Sequence, residues 1–122
     1  MSPTRQPKGF DRVRKLGAQL PDVTEGIVYR TPALKVGGKM FCCIPTNRAA
    51  EPGSLAVRMS YIERDLRLQA EPETYYLKPH YEGYPCVLAR LDRLTDAELK
   101  ELLEVGWHFT RAKAKRVRKS AR

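Results

Sequence analysis

The stretch LKVGGKMF, residues 34–41, narrows the folds open to this chain more than any other. Its paired glycines supply the positive φ that a two-residue hairpin loop demands, and the flanking residues are β-branched, aromatic or alternately apolar. The loop length sets the register: Val36 faces Lys39, Lys35 faces Met40 and Leu34 faces Phe41. An antiparallel sheet therefore lies at the centre of the expected fold.

Other segments extend that sheet. GIVYRT (26–31), PALKV (32–36) and KMFCCI (39–44) have strand composition, and LAVRM (55–59) follows the loop NRAAEPGS. TYYLKP and CVLARL (86–91) read as two more strands, and the short connections favour antiparallel neighbours. Phe10, Val13, Leu16 or Gly17, and Leu20 recur at helical spacing, so a first helix is expected over about residues 8–19, ending before Pro21. Ser60 and Glu63 have capping-box spacing and predict a short helix over about 61–69. Thr95 and Glu98 form a second box, with Leu94 and Leu99 placed as a hydrophobic staple. Leu99, Leu102, Leu103, Gly106 and Trp107 then make one apolar stripe, on a helix expected to end near Thr110. The fold class that follows is α+β: an antiparallel sheet packed against N- and C-terminal helices, in one domain over residues 1–110. Residues 111–122 form a basic tail, disordered or a helix extension.

Charge divides unevenly along the 122 residues. The net charge is +9, yet RAKAKRVRKSAR (111–122) alone holds seven Arg/Lys and no acid. Residues 17–110 carry 11 basic and 13 acidic residues, so the folded middle is not itself basic. A tail of this kind attracts polyanions through counterion release. With 42% hydrophobic residues, no long apolar run and a start, MSPTRQPKGFDR, without an apolar signal region, a soluble cytoplasmic protein is expected, with no membrane partner.

Catalytic signals are weak. There is no phosphate-binding loop, dinucleotide fingerprint, HExxH or EF-hand motif, and Glu63 and Asp65 diverge on their helix. Cys86 and His80 are the one local Cys/His pair, without a nucleophile motif. Cys42, Cys43 and Cys86 are an odd count; on a strand Cys42 and Cys43 point to opposite faces, so reduced, half-buried thiols are expected and no zinc site. His80 and His108 lack companions for a metal, leaving a turn hydrogen bond for His80 and a solvent-facing place for His108. No enzyme activity, cofactor or metal is expected. Tyr75, Tyr76, Tyr81 and Tyr84 surround Lys78 and His80, a mixture able to stack on bases and meet phosphate, or to bury rings with hydroxyls at the surface. Lys35, Lys39, Arg58, Lys78 and Arg90 all lie on expected strands or hairpin ends, and alternation alone does not place them on one face.

LPDVTEG (20–26), TPALKVGGKMFCCI (31–44), LAVRM (55–59), PHYEGYPCVLARLD (79–92) and ELKELLEVGWHFTRAKAKR (98–116) resemble, in order and spacing, the MmcQ/YjbR-like family, over roughly residues 8–116. The resemblance implies a frataxin-like (CyaY-like) α+β sandwich and DNA binding, with a double-wing contact. It maps the family's hairpin lysines onto Lys35 and Lys39, its loop aromatics and histidine onto His80, Tyr81 and Tyr84, and its last-helix aromatic onto Trp107. Frataxins hold iron on an acidic ridge near the first helix; here that helix shows Lys8, Arg12, Arg14 and Lys15, which disfavours iron. The expected function is then non-enzymatic, mostly electrostatic binding of nucleic acid, double-stranded DNA, by a monomer. Its contacts would be Lys113, Lys115, Arg116, Arg118 and Lys119 of the tail, the first helix, and Lys35, Lys39, Lys78 and His80 as wings. The alternative is a ligand- or protein-binding module using a cleft beside PHYEGYP, with His80, Tyr81, Tyr84 and Trp107. A concave pocket there would favour the alternative, and a continuous basic surface joining tail, first helix and hairpin the former.

Overall fold

The computed structural model describes residues 9–28, 30–46 and 49–120, with side chains as far as residue 114. Six strands form one sheet: β1 (Val23–Val28), β2 (Thr31–Val36), β3 (Lys39–Cys43), β4 (Ser54–Arg58), β5 (Tyr75–Tyr76) and β6 (Cys86–Arg90). Their order is β1-β2-β3-β4-β6-β5, and every neighbouring pair is antiparallel. Three helices complete the chain: α1 (Phe10–Gly17), α2 (Tyr61–Ala70) and α3 (Asp96–Ser120). The expected fold class is the observed one.

Gly37 and Gly38 turn the β2–β3 hairpin at φ 62° and 78°. Val36 pairs with Lys39 and Lys35 with Met40, but a bulge then sets Leu34 against Cys42 rather than Phe41. The extra residue lets both Phe41 and Cys42 enter the core on the helix side, where each is fully buried. The first strand differs too: β1 begins at Val23, ahead of the expected Gly26. It is bracketed by Asp22 (φ 60°) and Arg30 (φ 67°), both in left-handed conformation. β5 keeps only Tyr75 and Tyr76 of the expected TYYLKP strand, because a 3-10 turn over Pro79–Tyr81 takes the chain away from the sheet.

One face of the sheet carries the main core. Leu34, Val36, Phe41, Leu55, Val57, Val87 and Ala89 meet Phe10 and Val13 of α1 and Leu99, Leu102, Leu103 and Trp107 of α3. The second capping box forms in full: Glu98 N–H donates to Thr95 Oγ1 (3.1 Å) and Thr95 N–H to Glu98 Oε1 (2.9 Å), with Leu94 and Leu99 both buried. At α2 only half forms, since Glu63 N–H donates to Ser60 Oγ while the Glu63 carboxylate turns to Arg67 at 2.7 Å. α3 continues past Thr110 to Ser120, and Thr110 and Ala114 extend its buried stripe. Gly106 allows this helix to lie close on the sheet: a Cβ there would stand 2.8 Å from Val57 Cγ1 and 3.2 Å from the carbonyl oxygens of Phe41 and Arg58. No helix among the described residues is long and apolar enough to cross a membrane.

The opposite face bears a smaller cluster, Ala33, Cys43, Ala56, Tyr76 and Leu88, flanked by Met40 and Tyr81. No helix covers it. The functional geometry is found there.

Candidate functional site

On this open face the 78–85 loop arches beside the ends of β3, β4 and β6. The loop is held at several points. Arg64 on α2 donates to the carbonyls of Glu82 (3.0 Å) and Tyr84 (3.3 Å), and Tyr61 OH donates to that of Gly83 (3.0 Å). Met59 N–H reaches the Pro85 carbonyl at 2.9 Å, and Tyr81 N–H closes the turn on Lys78 at 2.8 Å. Although α2 buries no residue of its own, its arginine and tyrosine fix this loop.

The loop and sheet enclose a cleft of about 750 Å³. Its floor is Met40, Cys43, Ala56 and Cys86; its wall is His80, Tyr81 and Tyr84; Arg58 supplies the one permanent charge in the lining. Register explains the set: Lys35 pairs with Met40, Cys43 with Ala56 and Arg58 with Cys86, so these residues share the open face. His80 meets Tyr81 edge-to-face at 4.9 Å and is tilted against Tyr84 at 6.3 Å. Tyr84 remains 57% exposed, a ring presented to solvent at the mouth.

Burial raises all three thiols. Cys43 is pushed up to about 11, first by desolvation and then by the neighbouring Cys86; Cys86 is raised by desolvation, against the pull of Arg64 and Arg58; Cys42, fully buried on the other face, is raised the most. Protonated thiols at neutral pH are poor nucleophiles, so sharing a cleft with His80 does not activate Cys86. The expected divergence of Cys42 and Cys43 is seen, since they lie in separate clusters. Among the described residues no three His, Cys, Asp or Glu side chains are placed to hold a metal ion.

The expected cations fall into several groups. Lys35 lies on the open face alongside Gly26, whereas Lys39, exposed at the hairpin tip, is paired with Val36 on the helix side, so the two hairpin lysines diverge. Lys78 Nζ lies 5.9 Å over the Tyr76 ring. Arg12 is held by Asp96 (2.7 Å) and the carbonyls of Leu91 and Leu94, and Arg14 is held by Glu25 (2.8 Å) and Asp11. The two arginines of the first helix are therefore held in internal ties, whereas Lys15 stays exposed and Lys8 lies outside the described residues. Arg90 is likewise bound to Glu51, at 2.8 Å. Trp107 departs from the expected cleft set: its indole N–H donates to the Pro21 carbonyl at 2.9 Å, under the helix layer. His108 is exposed, as its position suggests.

What sequence alone did not reveal is the junction between cleft and tail. Arg58 lies 5.7 Å over the Phe109 ring, Lys113 lies 5.1 Å from the same ring, and Arg111 lies 5.0 Å over Trp107. Arg58 has no carboxylate partner among the described residues. Lys115, Arg116, Arg118 and Lys119 belong to the helical backbone of α3, but their side chains lie outside the described residues.

Comparison with known proteins supports one assignment. A 37-residue stretch, 30% of this chain, is 43% identical to uncharacterized proteins of Mycobacterium tuberculosis (Rv2570) and Mycobacterium bovis (Mb2600), and covers 29% of their length. The crystal structure of Deinococcus radiodurans protein DR2400, with the family-model domain DUF419, superposes with a TM-score of 0.64 at 23% identity, over 84% of this chain and 76% of that one, and shows the same fold. The YjbR family model matches residues 18–109, from the end of α1 through the sheet to Phe109, and by that match the chain belongs to the YjbR family.

Proposed function

We propose that this protein is a non-enzymatic nucleic-acid-binding module that grips double-stranded DNA chiefly by its phosphates. The observation that carries this reading is the unbroken course of α3. The helix stays packed through Thr110 and Ala114 and runs on through RAKAKRVRKS, so a strongly basic segment without a single acid continues directly from the folded body. Arg111 and Lys113 begin that segment on the faces of Trp107 and Phe109. Contacts of this kind position a duplex without reading its sequence. Lys39 at the hairpin tip and Lys78 and His80 around the 79–81 turn would serve as flanking wing contacts.

The test is fluorescence anisotropy of labelled duplex DNA, single-stranded DNA and RNA across a salt series. The full chain is compared with a full-length variant in which Lys115, Arg116, Arg118 and Lys119 are glutamine. Ending the chain at Thr110 would also remove Ala114 from its packed position, so neutralisation is the cleaner perturbation. Binding should weaken with salt, with the seven tail charges contributing up to about −6 to the log–log slope. Neutralisation should abolish most of the binding, and Lys39→Ala or Lys78→Ala should weaken it further. Absence of binding near physiological salt would end the reading. A second reading, a small-ligand or protein-binding module, is favoured by the concave cleft beside PHYEGYP.

A further inference from the structure

We infer that the open-face cleft is a site for a small, flat aromatic carboxylate, its carboxylate held by Arg58 and its ring laid against His80 and Tyr84. The inference rests on reading the cleft as a ligand site and names the class of ligand. Several observations converge on it. The volume of about 750 Å³ falls within the range of small-molecule sites, roughly 300 to 1,000 Å³. The floor of Met40, Cys43, Ala56 and Cys86 is apolar, and its thiols are held in the neutral form by burial. The lining contains no acidic residue and one permanent cation.

That cation is positioned for an anion. Arg12, Arg14, Arg64, Arg67 and Arg90 each have a carboxylate within salt-bridge distance, whereas Arg58 has none among the described residues. Its guanidinium instead rests over Phe109. A stacked guanidinium uses its face and keeps its edge, with the fork of N–H donors that matches a carboxylate. The aromatic wall needs little reorganisation, since Arg64, Tyr61 and the Met59 amide already hold the loop that carries it. An apolar floor selects against a small hydrophilic anion, and a lone cation selects against a neutral ring; together they select a molecule with both parts.

The experiment titrates 2-naphthoate, 2-naphthylmethanol and acetate into the full-length, ¹⁵N-labelled protein and follows amide shifts. We expect saturable binding of naphthoate with shifts at Ala56, Tyr81, Tyr84 and Cys86, weaker binding of the alcohol and none of acetate. Arg58→Met should weaken naphthoate by about tenfold or more, the loss expected for hydrogen bonds to a charged group, and leave the alcohol unchanged. Tyr84→Ala, at an exposed position that cannot unfold the core, should weaken both aromatic probes. Equal binding of alcohol and acid, or indifference to Arg58→Met, would overturn the carboxylate assignment while leaving a ligand cleft. If no probe shifts the cleft amides, the cleft reading itself falls.

Discussion

Replacing Gly106 with alanine sets two effects of opposite sign against each other. In a helix interior alanine is favoured over glycine by about 1 kcal/mol, so an exposed site would gain stability. Here the new Cβ would stand 2.8 Å from Val57 Cγ1 and 3.2 Å from two carbonyl oxygens, those of Phe41 and Arg58. Val57 is fully buried and stiff at χ1, and the carbonyls belong to paired strands, so nothing nearby can swing aside. Relief requires α3 to lift from β3 and β4. Overpacking of a tight core costs about 1 to 3 kcal/mol, and backbone contacts place this site at the upper end. The net loss is about 2 kcal/mol, or about 8 °C in Tm for a domain of this size. Thermal melts and urea titrations followed by circular dichroism measure it, with Gly83→Ala as the control, since a Cβ there meets nothing within 4 Å. If Gly106→Ala matches or exceeds the parent in stability, the close seating of α3 on the sheet is refuted.

Thr110 Oγ1 is buried without a hydrogen-bond partner among the described residues, so Thr110→Val should stabilise by about 1 kcal/mol, measured as a higher urea midpoint. The Arg90 hydrogen bond, more than the accompanying charge attraction, lowers the Glu51 pKa; its stabilisation is therefore present above the unfolded carboxyl pKa of about 4.3 and lost as pH falls through the lower folded value. Glu51→Gln should thus be less stable than the parent at neutral pH and converge with it in acid, in a series of melts across pH. With Cys43 raised to about 11, only about a thousandth of that thiol is ionised at pH 8, and Cys42 and Cys86 are also raised. Iodoacetamide should therefore label all three slowly in the native protein and rapidly in urea, as counted by intact mass.

The elements legible in the sequence were those with local chemistry. The Gly37-Gly38 turn and the Thr95–Glu98 box have partners within a few residues, and both formed as their spacing requires. The bulge that pairs Leu34 with Cys42 was not legible, because hairpin counting assumes an uninterrupted ladder and the bulge serves packing against α1 and α3. The two-residue length of β5 and the early start of β1 depend on neighbouring strands rather than on their own residues. At the site, the loop aromatics were visible as a cluster, but their partner Arg58 comes from β4, about twenty residues away, and only sheet register brings it to Cys86. The arginines of α1 looked like a basic surface because their acidic partners, Glu25 and Asp96, lie on other elements. Trp107 is placed with the loop by the family resemblance, whereas helix phase turns it toward Pro21.

The two left-handed residues around β1 have a consequence for self-association. β1 is an edge strand, and among the described residues no strand pairs with its outer side. Such an edge, with Ile27 74% exposed upon it, is a template onto which another chain can add. Asp22 and Arg30 break the extended conformation at both ends, so the open ladder stops at six residues and cannot grow into a longer flat ribbon. Glu25, exposed in the middle and tied to Arg14, places a charge where an incoming strand would lie. The sheet is thereby defended against edge-to-edge polymerisation at its β1 edge.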